Sequence, residues 1–260
     1  MKSGMEKKMI PAERQKTLLN LISKQSVISI NNLVNILGVS HMTVRRDIQK
    51  LEEDGKVISV SGGVQLLERL SSEPTHDDKS LLATTEKTAI SKKAVELIQE
   101  HSTIYLDAGT TTLEIAKQIA NRNDLLVITN DFVIAHYLMV NSQCNIMHTG
   151  GLINKSNRSS VGEFAAQFLH QISVDIAFIS TSSWNLKGLT TPDEQKIPVK
   201  KAIIQFSQKN ILVTDSSKYG KVATFLLYPL SSLDTIICDK GLPENAQARI
   251  AEMNVELFLV

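Results

Sequence analysis

Between Ser40 and Lys56 the chain reads Ser-His-Met-Thr-Val-Arg-Arg-Asp-Ile-Gln-Lys-Leu-Glu-Glu-Asp-Gly-Lys, and its polar side chains are of the kinds that grip nucleic acid. Val44, Ile48 and Leu51 recur at i, i+4 and i+7, the stripe of a helix that buries one side. Met42, Thr43, Arg46, Gln49 and Lys50 fall largely off that stripe, with Arg45 at its edge. Ser40 suits the N-cap and His41 opens the helix. A guanidinium can hold guanine bidentately, a glutamine amide can pair with adenine, and a threonine hydroxyl serves bases or phosphates. For this stretch alone, a solvated charged face on an ordinary helical hairpin is the plainer alternative.

A second set of chemically able residues follows short apolar runs in the rest of the chain: Asp107-Ala108-Gly109-Thr110-Thr111-Thr112, Thr129-Asn130-Asp131, His148-Thr149-Gly150-Gly151 and Asp215-Ser216-Ser217-Lys218. The first reads as the junction of a strand with a helix N-terminus. There Gly109 permits tight backbone geometry, the threonines offer hydroxyls, and free N–H groups favour an anion, most naturally a phosphate. An ordinary capped turn would look the same, but several such loops at one sheet edge, with Lys218 as a cation, point to a ligand site. Signatures of an enzyme are missing: no P-loop, no Gly-x-Ser-x-Gly elbow and no His-Glu-x-x-His. His101, His136, His148 and His170 are scattered singly. Phe178 and Trp184 read as core or pocket wall. The acids Asp193 and Glu194, and Asp47 with Glu52 to Asp54, read as solvated. No cofactor and no metal site is expected.

The elements that must position these residues follow from pattern. Pro11 starts a first helix reaching about Lys24, with Leu18, Leu19 and Ile22 inward. Ile30, Leu33, Val34 and Leu37 form a second amphipathic helix capped by Ser29. Gly38-Val39-Ser40 turns into the third. Helix, short glycine turn and polar-faced helix make a helix-turn-helix, whose last helix enters the major groove. Lys56 to Val60, ending at Gly62-Gly63, reads as a β-hairpin wing in which the glycines permit a tight turn or close approach to DNA. Residues 65–82, with Ser71, Ser72 and Pro74, read as a linker.

From Thr85 the rhythm changes to short apolar strands alternating with helices. Strands are expected at 103–106, 125–128, 144–147, 175–179, 211–214, 235–238 and 255–259. Helices are expected at 86–100, 111–120, 132–140, 163–171, 198–207 and 244–253. This is an α/β domain with a mostly parallel sheet. The charge supports two parts: residues 1–60 hold 10 Lys/Arg against 6 Asp/Glu, and the remainder holds 18 against 21. A basic front on a mildly acidic body suits a DNA-binding module attached to a domain with other work. Cys144 and Cys238, each expected within a strand, form no disulfide framework, which fits a reducing cytoplasm. No signal peptide and no membrane-spanning stretch is read.

Taken together in this order, certain residues resemble the deoxyribose-operon repressor family of bacterial transcriptional regulators (DeoR/GlpR type). They are Val39-Ser40, Thr43-Val44-Arg45-Arg46-Asp47, Leu51-Glu52, Gly55, Gly62-Gly63, Asp107-x-Gly109-Thr110-Thr111, Thr129-Asn130, Gly150-Gly151, Gly188-Leu189-Thr190 and Asp215-Ser216-Ser217-Lys218-Tyr219-Gly220. The resemblance runs from about Pro11 to the C-terminus. It implies a winged helix-turn-helix head and a sensor domain similar in fold to ribose-phosphate isomerases and CoA transferases. It also implies a phosphorylated sugar effector and repression of a sugar-use operon. Carried onto this chain, the phosphate loop is Asp107 to Thr111, with Thr129, Asn130, Gly150, Gly151, Lys218 and Lys87 lining the rest. Two departures stand out. The family's His-Gly-Gly-Ala wing reads Ser61-Gly62-Gly63-Val64, and its glycine-rich turn after the fourth strand reads Ser180-Thr181-Ser182-Ser183.

The sequence therefore predicts four segments: a flexible N-terminus at 1–10, a winged helix-turn-helix at 11–64, a linker at 65–82 and an effector-binding α/β domain at 83–260. The expected partners are double-stranded operator DNA, a phosphorylated sugar and further copies of the chain, as dimer or tetramer. DNA contacts are expected from Ser40, His41, Thr43, Arg45, Arg46, Gln49, Lys50, Gly62 and Gly63. A sugar-phosphate isomerase with a DNA-binding appendage is the alternative. It is disfavoured because no carboxylate stands out as the general base that aldose–ketose isomerisation needs.

Overall fold

In the computed structural model, which describes residues 9–25, 27–60 and 62–260, the chain divides into two units. One ends at Glu68 and takes in Pro243–Asn245; the other comprises Arg69–Leu242 and Ala246–Val260. Of the segment expected to be flexible, residues 1–8 lie outside the described residues. Met9 packs against the core of the first unit.

The first unit contains α1 (Pro11–Ile22), β1 (Ile28–Ser29), α2 (Ile30–Leu37), α3 (His41–Glu53), β2 (Val57–Val60) and β3 (Gly63–Leu66). Capping sets the helix ends. Ser29 Oγ accepts from Asn32 N at 3.2 Å to start α2. Gly38 ends α2 at φ 61°, a left-handed conformation that glycine adopts without a Cβ penalty. Ser40 Oγ accepts from Thr43 N at 3.3 Å to start α3. Leu18, Ile22, Leu33, Leu37, Val44, Ile48 and Leu51 from the three helices close over Val57 and Val64 of the hairpin. The strands pair antiparallel in the order β1-β3-β2. This is a winged helix-turn-helix.

In the second unit, α4 (His76–Ser80) and α5 (Thr84–Val95) follow the short β4 (Glu68–Arg69). Then come β5 (Thr103–Leu106), α6 (Thr110–Gln118), β6 (Leu126–Thr129), α7 (Phe132–Asn141) and β7 (Asn145–His148). A hairpin of β8 (Leu152–Asn154) and β9 (Ser159–Val161) leads through α8 (Glu163–Leu169) to β10 (Val174–Ile179). After β11 (Ser183–Asn185) and β12 (Gly188–Thr191), a 3₁₀ turn at Glu194–Lys196 runs into α9 (Ile197–Phe206). The chain ends with β13 (Ser207–Val213), β14 (Lys221–Val222), β15 (Phe225–Tyr228), β16 (Thr235–Cys238), α10 (Glu244–Ala251) and β17 (Glu256–Leu259).

Seven of these strands form one parallel sheet in the order β17-β16-β13-β10-β5-β6-β7. Parallel strands need helical crossovers, so both faces are covered and the central strands can be apolar throughout. Ile104, Leu106, Val127, Ile176, Phe178, Ile211, Val213 and Ile237 form the sheet's share of one core. From β5 the chain winds outward through β6 to β7, then returns to β10 on the other side of β5 and winds outward again to β17. The strand order therefore reverses between β5 and β10, and ligands of open α/β sheets bind beyond the carboxyl ends of strands at such a point.

The seven sheet strands coincide with the seven expected ones to within one residue at most ends; β13 starts earlier, at Ser207. Cys144 stands just before β7 rather than within it. Part of the expected linker is instead packed structure. Glu73 is ion-paired with Lys79 at 2.8 Å and with Lys196. His76 N donates to Ser156 O at 3.0 Å, and Asp77 pairs with Arg158 at 2.7 Å. An isolated polar stretch looks unanchored when its partners lie about eighty residues away.

Candidate nucleic-acid interface and effector cavity

Helix α3 turns Val44, Asp47, Ile48 and Leu51 inward. His41, Arg45, Arg46, Gln49 and Lys50 are exposed, while Thr43 is half-buried. Among the described residues, Arg45 and Arg46 have no ion-pair partner, so both guanidinium groups are available to an outside anion or base edge. Gln49 Nε2 donates to Glu53 Oε1 at 3.3 Å. Lys50 lies 3.8 Å from Glu53 and 3.6 Å from Asp54; these exposed contacts are weak enough for DNA to replace. Ser40 is committed to capping α3. Asp47, expected to be solvated, is only 3% exposed. It accepts from Arg14 Nε at 2.7 Å and Nη2 at 3.2 Å, tying α1 to α3.

At the wing, Gly62 is exposed at φ 74° and its carbonyl accepts from Ile30 N at 3.1 Å. Gly63 was expected to face DNA and does not. It is buried against β1, where an added Cβ would stand 2.7 Å from Ile28 O. Its glycine is needed for strand packing. Ser61, at the wing tip, lies outside the described residues.

In the second unit a small cavity, with enclosed room for about one water molecule, opens at the strand-order reversal. It is lined by Asp107, Ala108, Asn130, Ser159, Val161, Lys196, Val199 and Lys200. Asp107, at the end of β5, is 1% exposed. Its Oδ2 accepts from Lys200 Nζ, from Ser180 N at 2.9 Å and from Ser180 Oγ at 3.1 Å. Lys200 Nζ also donates to Ser180 O at 2.6 Å. The Ser180 departure from the family's glycine-rich turn thus serves to hold Asp107. The other carboxylate oxygen, Asp107 Oδ1, is buried without a hydrogen-bond partner, as are the hydroxyls of Thr111, Ser159 and Ser160. Buried polar atoms left open in this way are costly and mark places where a polar ligand or water is expected.

Several of the other predicted residues build the cavity's back. Asn130 Oδ1 accepts from Tyr105 OH at 2.9 Å and Ala108 N at 3.0 Å, fixing the β5–α6 loop. Thr129 Oγ1 donates to Leu106 O at 2.7 Å across the sheet. Gly109 N donates to Asp131 Oδ2 at 3.1 Å, and a Cβ at Gly109 would stand 2.8 Å from Ser180 Cβ. Thr110 and Thr111 are buried at the start of α6. Gly150 and Gly151 adopt φ 65° and 109°, allowing the chain to turn after β7 and Gly151 to approach Ala165 on α8. Neither lines the cavity.

Two predicted cations also sit elsewhere. Lys218 pairs with Asp215 at 3.1 Å beyond β13. Lys87 donates to the carbonyls of Lys79 and Leu82, and burial, reinforced by repulsion from Lys218, pushes its ammonium down to about 8. The cavity's cations are Lys196 and Lys200, which the sequence reading missed. Their i, i+4 spacing across the start of α9 sets both on one side of the chain there, and that was the available signal.

Asp131 caps α7 from behind the loop, accepting from Val133 N at 2.7 Å and Ile134 N at 3.1 Å. Burial outweighs these bonds and pushes its carboxyl up to about 6, with nearby Asp107 adding to the rise. The folded state therefore binds this proton more tightly than the unfolded chain. The associated stability is fully present below the ordinary aspartate value of 3.8 and is lost as pH rises to about 6, on the order of 3 kcal/mol. Asp131→Asn is expected to melt progressively higher relative to wild type as pH is raised from 4 to 6, and to hold a constant offset above. Parallel melting curves across that range would refute the assignment.

A winged helix-turn-helix head joined to a parallel α/β domain with a polar cavity at its strand-order reversal is the build of a DNA-binding transcriptional regulator. Residues 14–69 match the DeoR-like helix-turn-helix domain, and residues 82–240 match the DeoR C-terminal sensor domain. The chain belongs to the DeoR family, whose members are transcriptional regulators rather than enzymes. It is 50% identical to the uncharacterized HTH-type transcriptional regulator YgbI of Escherichia coli (strain K12), over 96% of this chain and 98% of that one. It is 29% identical to the glycerol-3-phosphate regulon repressor of the same strain, over 95% and 98%. Among solved structures, ribose 5-phosphate isomerase A from Methanocaldococcus jannaschii is similar over 51% of this chain and 53% of its own. Identity there is 18% and the TM-score 0.37, a level that carries none of the isomerase's chemistry across. No described helix is long and apolar enough to cross a membrane.

Proposed function

We propose that this chain represses an operon for the use of a sugar, and that a phosphorylated sugar entering the β5–β10 cavity relieves the repression. The observation that supports this reading best is the juxtaposition, in one cavity, of two ammonium groups, Lys196 and Lys200, with the open acceptor Asp107 Oδ1 and the open Ser159 hydroxyl. Ammonium groups suit a phosphate, and carboxylate and hydroxyl groups suit sugar hydroxyls. The name of the relative that represses a glycerol-3-phosphate regulon agrees with a phosphorylated effector. The β5–α6 loop of Asp107, Gly109, Thr110 and Thr111 contributes through Asp107 and its backbone, with Thr129 and Asn130 holding its shape. The chain works in the cytoplasm, where operator DNA is, as a dimer or tetramer reading repeated half-sites. Melting the full-length protein with a panel of sugar phosphates and the matching free sugars tests the reading. Stabilisation by one or more phosphates, and far less by the free sugars, is expected. No shift with any of them would refute it.

On the DNA side, Arg46 and Arg45 are assigned to different tasks. Arg46 lies farther from the buried stripe and reads base edges; Arg45 serves phosphates. Arg46→Ala is expected to cost about 1–3 kcal/mol on the operator and to flatten its preference over unrelated DNA. Arg45→Ala is expected to weaken all sequences alike and to reduce the salt slope by about one. Competition binding at fixed salt distinguishes them, and retained preference in Arg46→Ala would overturn the assignment.

A further inference from the structure

The cavity's two cations are not equally committed. Lys200 is tied into the sheet edge by Asp107 and the Ser180 carbonyl. Lys196 Nζ is held by Glu73, which belongs to no strand end. Glu73 lies on the segment between the last head strand and α4, and its side chain is 11% exposed. Its other oxygen pairs with Lys79 at 2.8 Å, and Lys79 also donates to Asn157 Oδ1 at 2.6 Å. Asn157 stands two residues before Ser159 of the cavity wall. One carboxylate thus sits between two ammonium groups immediately beside the cavity. Burial opposes its charge, yet Lys196 and Lys79 hold it at about 2.

The size of the cavity makes this arrangement consequential. The free space among these side chains is about that of one water molecule, far below the roughly 300–1,000 Å³ of ordinary small-molecule sites. A sugar phosphate can enter only by displacing part of the lining. Among the described residues, Lys196 is the lining cation whose ammonium is held by another flexible side chain alone, so it is the wall that gives. A phosphate monoester carries up to two charges and three acceptor oxygens, against one charge and two oxygens for a carboxylate. It is the stronger ligand for the same pair of ammonium groups.

We infer that Lys196 and Lys79 form the effector's phosphate subsite, that Glu73 occupies it as an internal anion while the cavity is empty, and that the effector displaces Glu73. This rests on the effector reading above and adds its regulation. Glu73 lies between the pairing of β4 with β14, closed by Leu70 N donating to Val222 O at 2.9 Å, and the His76 N bond to Ser156 O, so losing its anchor frees the stretch between these two holds on the path from the head. A ligand acts on DNA binding only through such a difference between states.

The test uses the full-length protein and inorganic phosphate as the probe. In Glu73→Gln the competitor is gone, and phosphate is expected to bind at least tenfold more tightly than to wild type by calorimetric titration. In Lys196→Met it is expected to bind at least tenfold more weakly. In wild type, saturating phosphate is expected to speed hydrogen exchange of the amides of residues 70–80 about tenfold, a measurement that stands even if a variant folds poorly. Equal phosphate affinity in wild type and Glu73→Gln, or unchanged exchange at 70–80, overturns the inference. If ribose 5-phosphate and other sugar phosphates still stabilise the protein in that case, the effector reading survives. If neither phosphate nor any sugar phosphate binds, both fall.

Discussion

Arg14→Leu is expected to unfold the DNA-binding head and abolish operator binding while leaving the sensor domain folded. Asp47 lies on the inner face of α3 at 3% exposure, and the Arg14 side chain that meets it is itself only 11% exposed. Two charge-assisted hydrogen bonds, at 2.7 and 3.2 Å, link them, with Gln15 adding a longer one at 3.5 Å. Removing the guanidinium leaves a buried carboxylate without its cation, which typically costs about 3–5 kcal/mol. A domain this small has a total stability near the low end of the 5–15 kcal/mol range, so most of the margin goes. The protein reports the two parts separately because its only tryptophan, Trp184, is in the sensor domain. The Trp184 fluorescence transition should stay in place while helical circular dichroism is lost at lower temperature and operator binding disappears. The pair Arg14→Leu with Asp47→Leu should recover most of the stability, since apolar side chains of similar size can replace a buried ion pair. An Arg14→Leu protein that melts and binds operator like wild type would show that the pair does not hold the head together.

That ion pair also marks where the sequence stops being legible. The helices of the head and the seven strands of the sheet are visible because their signals are local: an apolar stripe at i, i+4, i+7, a Ser or Gly at a helix end, a four-residue apolar run. The loops at the strand ends are legible for the same reason, since parallel strands deliver their polar termini to one edge. Asp47 was not, because it stands in a run of charges and its partner is 33 residues upstream. The cavity's cation failed in the same way. Lys218 follows a strand end directly and so reads as the neighbour of the Asp107 loop, but β13 is separated from β5 by β10. Lys200 comes from a helix, 93 residues after the carboxylate it meets. The hairpin of β8 and β9, which brings Ser159 and Val161 to the cavity, has too short and too polar a repeat to announce itself. Gly63 shows the converse: a conspicuous glycine beside a DNA-reading helix is there for its neighbour in the sheet.

Lys200→Met is expected to destabilise the sensor domain by about 3–5 kcal/mol and to abolish the response to effector. Lys200 Nζ is the cation on Asp107, whose carboxylate is buried at the junction of β5 and α6 with the acidic Asp131 close behind it. Without the ammonium, Asp107 Oδ2 keeps only the two bonds from Ser180, and Oδ1 remains open. The uncompensated buried carboxylate then strains the loop open, and the Trp184 transition should move down accordingly. Loss of response could come from this damage alone, so the second variant decides. Lys200→Met with Asp107→Asn removes the buried charge as well as its partner and should restore most of the lost stability, because neutral groups cost far less to bury. Operator affinity should then be close to wild type, since neither residue lies in the head. Release by ribose 5-phosphate or any other sugar phosphate active on wild type should still be absent, because one of the two cavity cations and the hydroxyl-binding carboxylate of the proposed site are gone. A double variant that is stable, binds operator and is released at the wild-type effector concentration would move the effector site away from this cavity. A single variant that melts like wild type would show instead that the Asp107–Lys200 pair does not hold the β5–α6 junction together.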